Sequence, residues 1–309
     1  MNGNGQDGAY LRTHGDLGRW TPRGQVRHWV LDGLSLFGGL SRDFRGDGGR
    51  NRIQFLYLHA VFEDQREAFR ELLSDLARDY TFISHSAAVS RILKGEIDRP
   101  YVAFSFDDGF KNCLGAAEDL SAFGASGCFF VCPDIVGVTD YSAIRAFCAT
   151  RLHMPPVEFM NWEDLEELLL RGHEVGSHSL GHPVLETVSR QQLQNELGAS
   201  REILEARLGP VHHFAWPYGR FHHFTPEAAG EVFAAGYTSC ASAERGCHVG
   251  SEPVAAQDLC IRRDQVKPSW PLRHIRYFLW LNARRVVRQK DGWPDAWGRL
   301  PSAMEPPGS

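Results

Sequence analysis

Ser105-Phe106-Asp107-Asp108-Gly109 follows directly on an apolar run, Tyr101-Val102-Ala103-Phe104. Two adjacent carboxylates at the mouth of a buried strand carry a desolvation cost that a metal ion or a proton transfer would offset. Two further segments supply the partners such a pair needs. His178-Ser179-Leu180-Gly181-His182 follows a second strand-like stretch, and Phe214-Ala215-Trp216-Pro217-Tyr218-Gly219 follows a third. One carboxylate and two imidazoles form the three-ligand set with an open position that catalytic zinc sites use. The other carboxylate is then free to act as a base. Gly181 and Pro183 argue against a regular helix here, so the two histidines sit in a turn that aims both rings inward. Taken singly, an Asp-Asp-Gly is a turn, a His-x-x-x-His is two surface imidazoles, and a Trp-Pro-Tyr-Gly is a bend with aromatic packing. Their order along the chain is what points to chemistry.

The elements that must position these residues read as strands and helices in alternation. A strand covers 53–59, and 63–80 has helical periodicity through Phe69, Leu72, Leu73 and Leu76. A strand at 81–84 and a helix at 87–94, closed by Gly95, lead to the strand carrying Asp107 and Asp108. Helices are predicted at 112–123, at 162–170 with Asn161 as N-cap, at 189–208 with a capping box of Ser189 and Gln192, and from Thr225-Pro226 onward. Strands are predicted at 128–131, 173–177, 213–216, 237–240 and 259–262. This alternation implies a parallel α/β fold. All three motifs fall immediately after predicted strands, the arrangement of an α/β barrel whose single site lies at the C-terminal face.

These residues resemble the polysaccharide deacetylase family, also called the NodB-homology domain or carbohydrate esterase family four. The family's motifs are Thr-Phe-Asp-Asp-Gly, His-Ser/Thr-x-x-His and Arg-x-Pro-Tyr. Here the first has Ser105 for Thr, the second is intact, and the third has Ala215 where Arg is usual. The resemblance spans roughly 52–265 and implies a distorted (β/α) barrel of seven strands. It implies that Asp108, His178 and His182 hold a divalent metal, Zn2+ first, with Co2+, Ni2+, Fe2+ and Mn2+ able to use the same ligands. Asp107 is then the base, and the backbone N–H of Tyr218 stabilises the oxyanion. In the family the third-motif arginine pairs with the base. Ala215 cannot, and Arg262, at the end of a late predicted strand, is the candidate substitute. The family's closing Leu-x-His, the general acid, has no clear copy after residue 240: His248 and His274 lack the strand context. His59, at the end of the first strand, is placed to face the site. Trp216, Pro217, His59 and Arg262 are the candidate substrate-binding residues.

Composition sets the outer bounds. The 309 residues, 43% hydrophobic and 23% charged, suffice for a large core in an ordinary globular protein. A net charge of −5 gives no basic field for nucleic acid. Seven cysteines, an odd number without paired C-x-x-C spacing, fit reduced thiols in the cytoplasm. Residues 1–8 lack a secretory pattern, and the apolar stretch 29–40, broken by Asp32 and glycines, is too short to span a bilayer. A cytoplasmic location follows as the expectation. Three regions are expected: an arm at 1–51, the barrel domain at 52–290, and a flexible tail at 291–309. Within the domain, 269–290 is basic and amphipathic. It sets Leu272, Ile275, Leu279 and Val286 against Arg273, Arg276, Arg284, Arg285, Arg288 and Lys290. Such a helix either touches an anionic membrane or closes the barrel with a solvated basic face. The resemblance then implies a metal-dependent hydrolase removing an N-acetyl or related acyl group from an amino sugar in a glycan, lipid-linked precursor or sugar-containing metabolite. The alternatives are a natural-product N-deacylase, an O-acetyl esterase, and a carbohydrate-binding protein with a degenerate site.

Overall fold

The computed structural model of the chain describes residues 10–17, 51–285, 292–298 and 300. Its first strand, β1 (Arg52–Leu58), is buried at every position, as a strand covered on both faces must be. The strands that follow are β2 (Thr81–Phe82), β3 (Pro100–Phe106), β4 (Gly127–Val131), β5 (Glu174–Ser177), β6 (His213–Ala215), β7 (Ser239–Ala241), β8 (Cys260–Ile261) and β9 (Arg263–Gln265). Every pairing between these strands is parallel, and the order is β8-β7-β6-β5-β4-β3-β1-β9, with β2 pairing β3 off this path. β8 and β9 are consecutive in sequence yet sit at opposite ends of that order. They are two halves of one extended segment that breaks at Arg262 and passes from β7 to β1, closing the sheet into a barrel. The short β2 lies outside the ring. The expected seven-stranded barrel is therefore the observed one, with nine assigned strands because one position is split and one strand is peripheral.

The helices between the strands are α1 (Arg66–Leu76), α2 (His85–Lys94), α3 (Cys113–Ala122), α4 (Tyr141–Phe147), α5 (Trp162–Leu170), α6 (Arg190–Leu208), α7 (Pro226–Ala234) and α8 (Leu272–Arg285). Their starts carry the caps read from the sequence. Asn161 accepts from the Asp164 N–H at 2.7 Å, Ser189 from Gln192 at 3.3 Å, and Thr225 from Ala228 at 3.0 Å, each contributing about 1 kcal/mol. On α1, Phe69, Leu72, Leu73 and Leu76 are buried at helical spacing, and the Phe69 ring meets Phe104 and Phe106 edge-on. Inside the barrel lie Phe55, Ala103, Cys128, Phe130, Ala215 and Ile261. His85 and His213 help fill the core: His213 is held by Ser86 Oγ at 2.7 Å and Ser239 Oγ at 2.8 Å. Burial pushes the His213 pKa down to about 3 and that of His85 well below its ordinary value, so both are neutral packing residues. All seven cysteines are buried free thiols.

The structure departs from the sequence reading at identifiable points. The predicted helix at 63–80 opens as a 3-10 turn, Glu63–Gln65, and its α-helical part ends at Leu76. Between β4 and α5, where the periodicity gives no reading, α4 runs into a π turn, Cys148–Leu152, that ends on a left-handed His153 (φ 54°). The predicted basic helix is present as α8, with 286–290 outside the described residues. Ile275 and Leu279 are buried, and Arg276 is tied to Asp75 at 2.5 Å and Asp79 at 2.6 Å. That part of the basic face is packed on the barrel's own acidic residues. Most of the predicted arm, 18–50, and much of the predicted tail lie outside the described residues. What is described of each contacts the body. Tyr10 meets Tyr141 edge-on at 5.3 Å, and Trp293 stacks on Trp216 at 5.9 Å and on Trp297 at 5.6 Å. Among the described residues no helix is long and apolar enough to cross a membrane.

Candidate metal and catalytic site

Three strand ends deliver the three motifs to one mouth of the barrel. β3 ends at Phe106, and the Asp107 N–H donates to the Leu58 carbonyl of the neighbouring strand at 2.9 Å. Asp108 and Gly109 then turn through left-handed conformations, φ 74° and 73°. A side chain at 109 would meet Val131 Cγ1 at 3.0 Å, so the glycine serves both the turn and the close approach to β4. β5 feeds His178, whose N–H donates to the Val131 carbonyl at 2.9 Å. The loop to His182 is held by Glu196 of α6, which accepts from the N–H groups of Leu180 and Gly181, both at 2.9 Å. Ser179 Oγ accepts from the His182 N–H at 3.0 Å. β6 leads to Trp216, Pro217 and a left-handed Tyr218 (φ 62°). Among the described residues, the non-glycine positions with positive φ are Asp108, His153, Ser179, His182 and Tyr218. Such conformations cost on the order of 1–3 kcal/mol each and cluster where function maintains them.

The result is convergence. Asp108 Oδ1 lies 3.5 Å from His178 Nε2 and 3.3 Å from His182 Nε2. One ligand atom from each of the three residues lies within 4.8 Å of the others, and all three side chains are buried. His178 Nδ1–H donates to the Ala215 carbonyl at 2.7 Å, which fixes the tautomer and leaves the Nε2 lone pair available to a metal ion. Burial holds the His178 pKa down at about 4, so this imidazole is neutral near pH 7, as a ligand must be. Burial pushes the Asp108 carboxyl upward, but the hydrogen bond from His182 and the nearby imidazoles outweigh it and keep it ionised. Cys132 Sγ lies 3.1 Å from the His178 carbonyl and backs it from the core. A neutral imidazole with its ligand nitrogen free, a second imidazole and an ionised carboxylate, all aimed at one point, fit a divalent ion.

Asp107 is held differently. Arg263 Nη1 donates to its Oδ1 at 2.7 Å and Nη2 to its Oδ2 at 2.8 Å, a bidentate clamp. Arg263 is fully buried, and it also donates to Ser105 Oγ at 3.1 Å and, through Nε, to the Ser242 carbonyl at 2.7 Å. The cation that Ala215 cannot supply therefore comes from β9. This corrects the assignment of Arg262. Alternation along the strand turns Arg262 the other way: its guanidinium lies over Phe221 at 5.3 Å and reaches the Gly292 carbonyl at 3.4 Å, and it lines no part of the site.

A cavity of about 350 Å³ opens beside the three converging residues. Trp216, Tyr218 and His59 line it; Pro217 does not. Trp216 is fully buried, stacked on Phe224 at 4.3 Å with the rings nearly parallel. His59 follows β1, whose register pairs Leu58 with Phe106, so it stands level with Asp107. Its Nδ1 lies 3.3 Å from the Gln265 amide. His248 bridges to Ile53 at the opposite end of β1, and neither it nor His274 lines the cavity. Sequence reasoning missed Arg263, Glu196 and the cavity wall at Leu152 and Met154. Only Arg263 left a signal, being the next residue along the strand from the one chosen.

The fold and the order of its motifs define a parallel (β/α) barrel with its candidate site at one mouth. Residues 94–238 match the family model described as Polysaccharide deacetylase, and the resemblance carried by the three motifs is thereby borne out. Among solved structures, the Streptococcus pyogenes deacetylase PplD in complex with acetate superposes with a TM-score of 0.59 at 16% identity, over 72% of this chain and 96% of that one. IcaB from Ammonifex degensii gives 0.60 at 21%, over 76% and 99%. A polysaccharide deacetylase from Bacillus cereus gives 0.57 at 19%, over 74% and 69%. At these identities the likeness is one of fold. No curated protein matches the chain.

Proposed function

We propose that this protein is a metal-dependent hydrolase that removes an N-acyl group from an amino sugar. The observation that carries the reading is the convergence of Asp108, His178 and His182 beside an Asp107 clamped by a buried arginine. Asp108, His178 and His182 would hold the ion, which when bound supplies Lewis acidity and lowers the pKa of water toward neutrality. Asp107 takes the proton from the attacking water, and the clamp by Arg263 fixes its carboxylate in place. The Tyr218 backbone N–H donates to the oxyanion as the carbonyl becomes tetrahedral. His59 gives a proton to the leaving amine, in the role for which the sequence has no closing Leu-x-His.

The purified protein should contain close to one equivalent of a divalent metal and release acetate from N-acetylated mono- or oligosaccharides. A chelator should abolish the release, and Zn2+ or Co2+ should restore it. Acetate release that survives complete metal removal would sink the reading. Binding of sugar without any metal-dependent turnover would favour the degenerate-site alternative.

The role of His59 separates amide from ester chemistry. Substitution His59→Gln should cut the amide rate by about 10²-fold, because an amine cannot leave unprotonated. Hydrolysis of a p-nitrophenyl ester, whose phenolate leaves unaided, should change only a few-fold. Equal losses on both substrates would remove His59 from the acid role.

A further inference from the structure

We propose that the cavity beside the metal site accepts an acyl group longer than acetyl, a chain of about four to six carbons, while the sugar stays at the mouth. The inference rests on the deacylase reading above and specifies its substrate. An acetyl group has three heavy atoms, and at roughly 30 Å³ per water-sized group it would fill about a quarter of the space. The cavity measures about 350 Å³. Part of the rest belongs to the ion and to the sugar at the mouth, because the candidate ligands and His14, Lys267 and Pro268 line the same cavity; the walls decide what the remainder takes. One side of the lining is apolar: the partly exposed Ala60, Leu152 and Met154 line it, with the buried Phe62, Phe110 and Val266 beside them, while the polar lining residues gather at the reacting centre and around Gln65, Gln265, His14 and Lys267. Water is poorly held where polar partners are few.

Sugar hydroxyls would fare no better on that wall. Gln65 Oε1 is engaged by the Phe62 N–H at 3.2 Å, and the Gln265 amide by His59 at 3.3 Å. Two polar side chains of the lining are thus already committed, and buried hydroxyls without partners oppose binding. A methylene chain needs none.

The wall is also attached to the reacting centre. The Tyr218 hydroxyl donates to the Arg151 carbonyl at 2.7 Å, and the Met154 N–H donates to Cys148 at 3.1 Å, closing the turn around the left-handed His153. Leu152 and Met154 therefore hang from the same residue whose backbone N–H meets the oxyanion. A chain leaving the acyl carbon runs along them. In the reaction, water oxygen bonds to the acyl carbon and the C–N bond breaks. The chain departs as a carboxylate, and the amino sugar keeps the transferred proton.

The test uses the metal-loaded protein and glucosamine N-acylated with acetyl, butanoyl, hexanoyl and octanoyl groups, followed by amine release. Each enclosed methylene is worth up to about fourfold, so kcat/KM should rise at least tenfold from acetyl to hexanoyl. A series that is flat or falls over that range overturns the proposal while leaving the deacylase intact. No turnover of any member, acetyl included, overturns the deacylase reading itself. Leu152→Trp and Met154→Trp, at partly exposed positions that tolerate bulk, should each lower the hexanoyl-to-acetyl ratio at least tenfold. An unchanged ratio in both also overturns the proposal.

Discussion

Asp107→Asn should keep the bound metal and lose turnover by about 10³-fold, whereas His178→Ala should lose the metal itself. The two outcomes differ because the two side chains do different work at one mouth of the barrel. Asp107 points both oxygens at Arg263, 2.7 and 2.8 Å away, and is not among the three converging ligands. An asparagine there preserves shape and part of the clamp but cannot take a proton, and a lost general base is worth roughly 10²–10⁴-fold. In the proposed site His178 would contribute a ligand nitrogen, its ring oriented by the Ala215 carbonyl at 2.7 Å. Removing it leaves one imidazole and one carboxylate, too few for tight binding. Metal content by elemental analysis, read beside kcat for acetate release, checks both at once. Wild-type rates in Asp107→Asn would remove the base assignment, and full metal content in His178→Ala would remove the ligand assignment.

The convergence of Asp108, His178 and His182 was legible because its information is local. Asp108, His178 and His182 each sit in a short turn directly after a strand, and the turn residues Gly109, Gly181 and Pro183 are visible beside them. The helix starts at Asn161, Ser189 and Thr225 were readable for the same reason: a cap and its partner lie three residues apart. Barrel closure was not local. The break at Arg262 exists because one half of the segment pairs β7 and the other pairs β1, and those partners lie far away in sequence. A single-strand reading puts the inward residue one position early, and one step along a strand reverses the face. Glu196 is one carboxylate among several on a long helix. Its task appears only when the loop at Leu180 and Gly181 is laid against it. The wall at Leu152 and Met154 depends on a π turn, which no hydrophobic period announces.

Arg263 carries the second large prediction. Arg263→Ala should lower stability by about 3–5 kcal/mol, because it leaves Asp107 buried without its cation. For a domain of this size that corresponds to a drop of roughly ten degrees in Tm, at about 2–4 °C per kcal/mol. Activity should fall with it, since the freed carboxylate no longer holds one orientation. Arg263→Lys should recover little, because an ammonium cannot span both oxygens of Asp107 and also reach the Ser242 carbonyl as the guanidinium does. The informative variant places the arginine where the third motif usually carries it. Ala215 and Arg263 both face the barrel interior, Ala215 in the cluster with Phe130 and the Arg263 guanidinium 5.3 Å from that ring. In Ala215→Arg/Arg263→Ala the new side chain enters the volume the old one vacates, a roughly volume-conserving exchange. Thermal melts and kcat/KM should show the double variant above Arg263→Ala in both Tm and rate, and Ala215→Arg alone should be destabilised by overpacking two cations into one cavity. If Arg263→Ala melts and turns over as the wild type does, the clamp is not what positions Asp107, and the closing strand has no part in the chemistry.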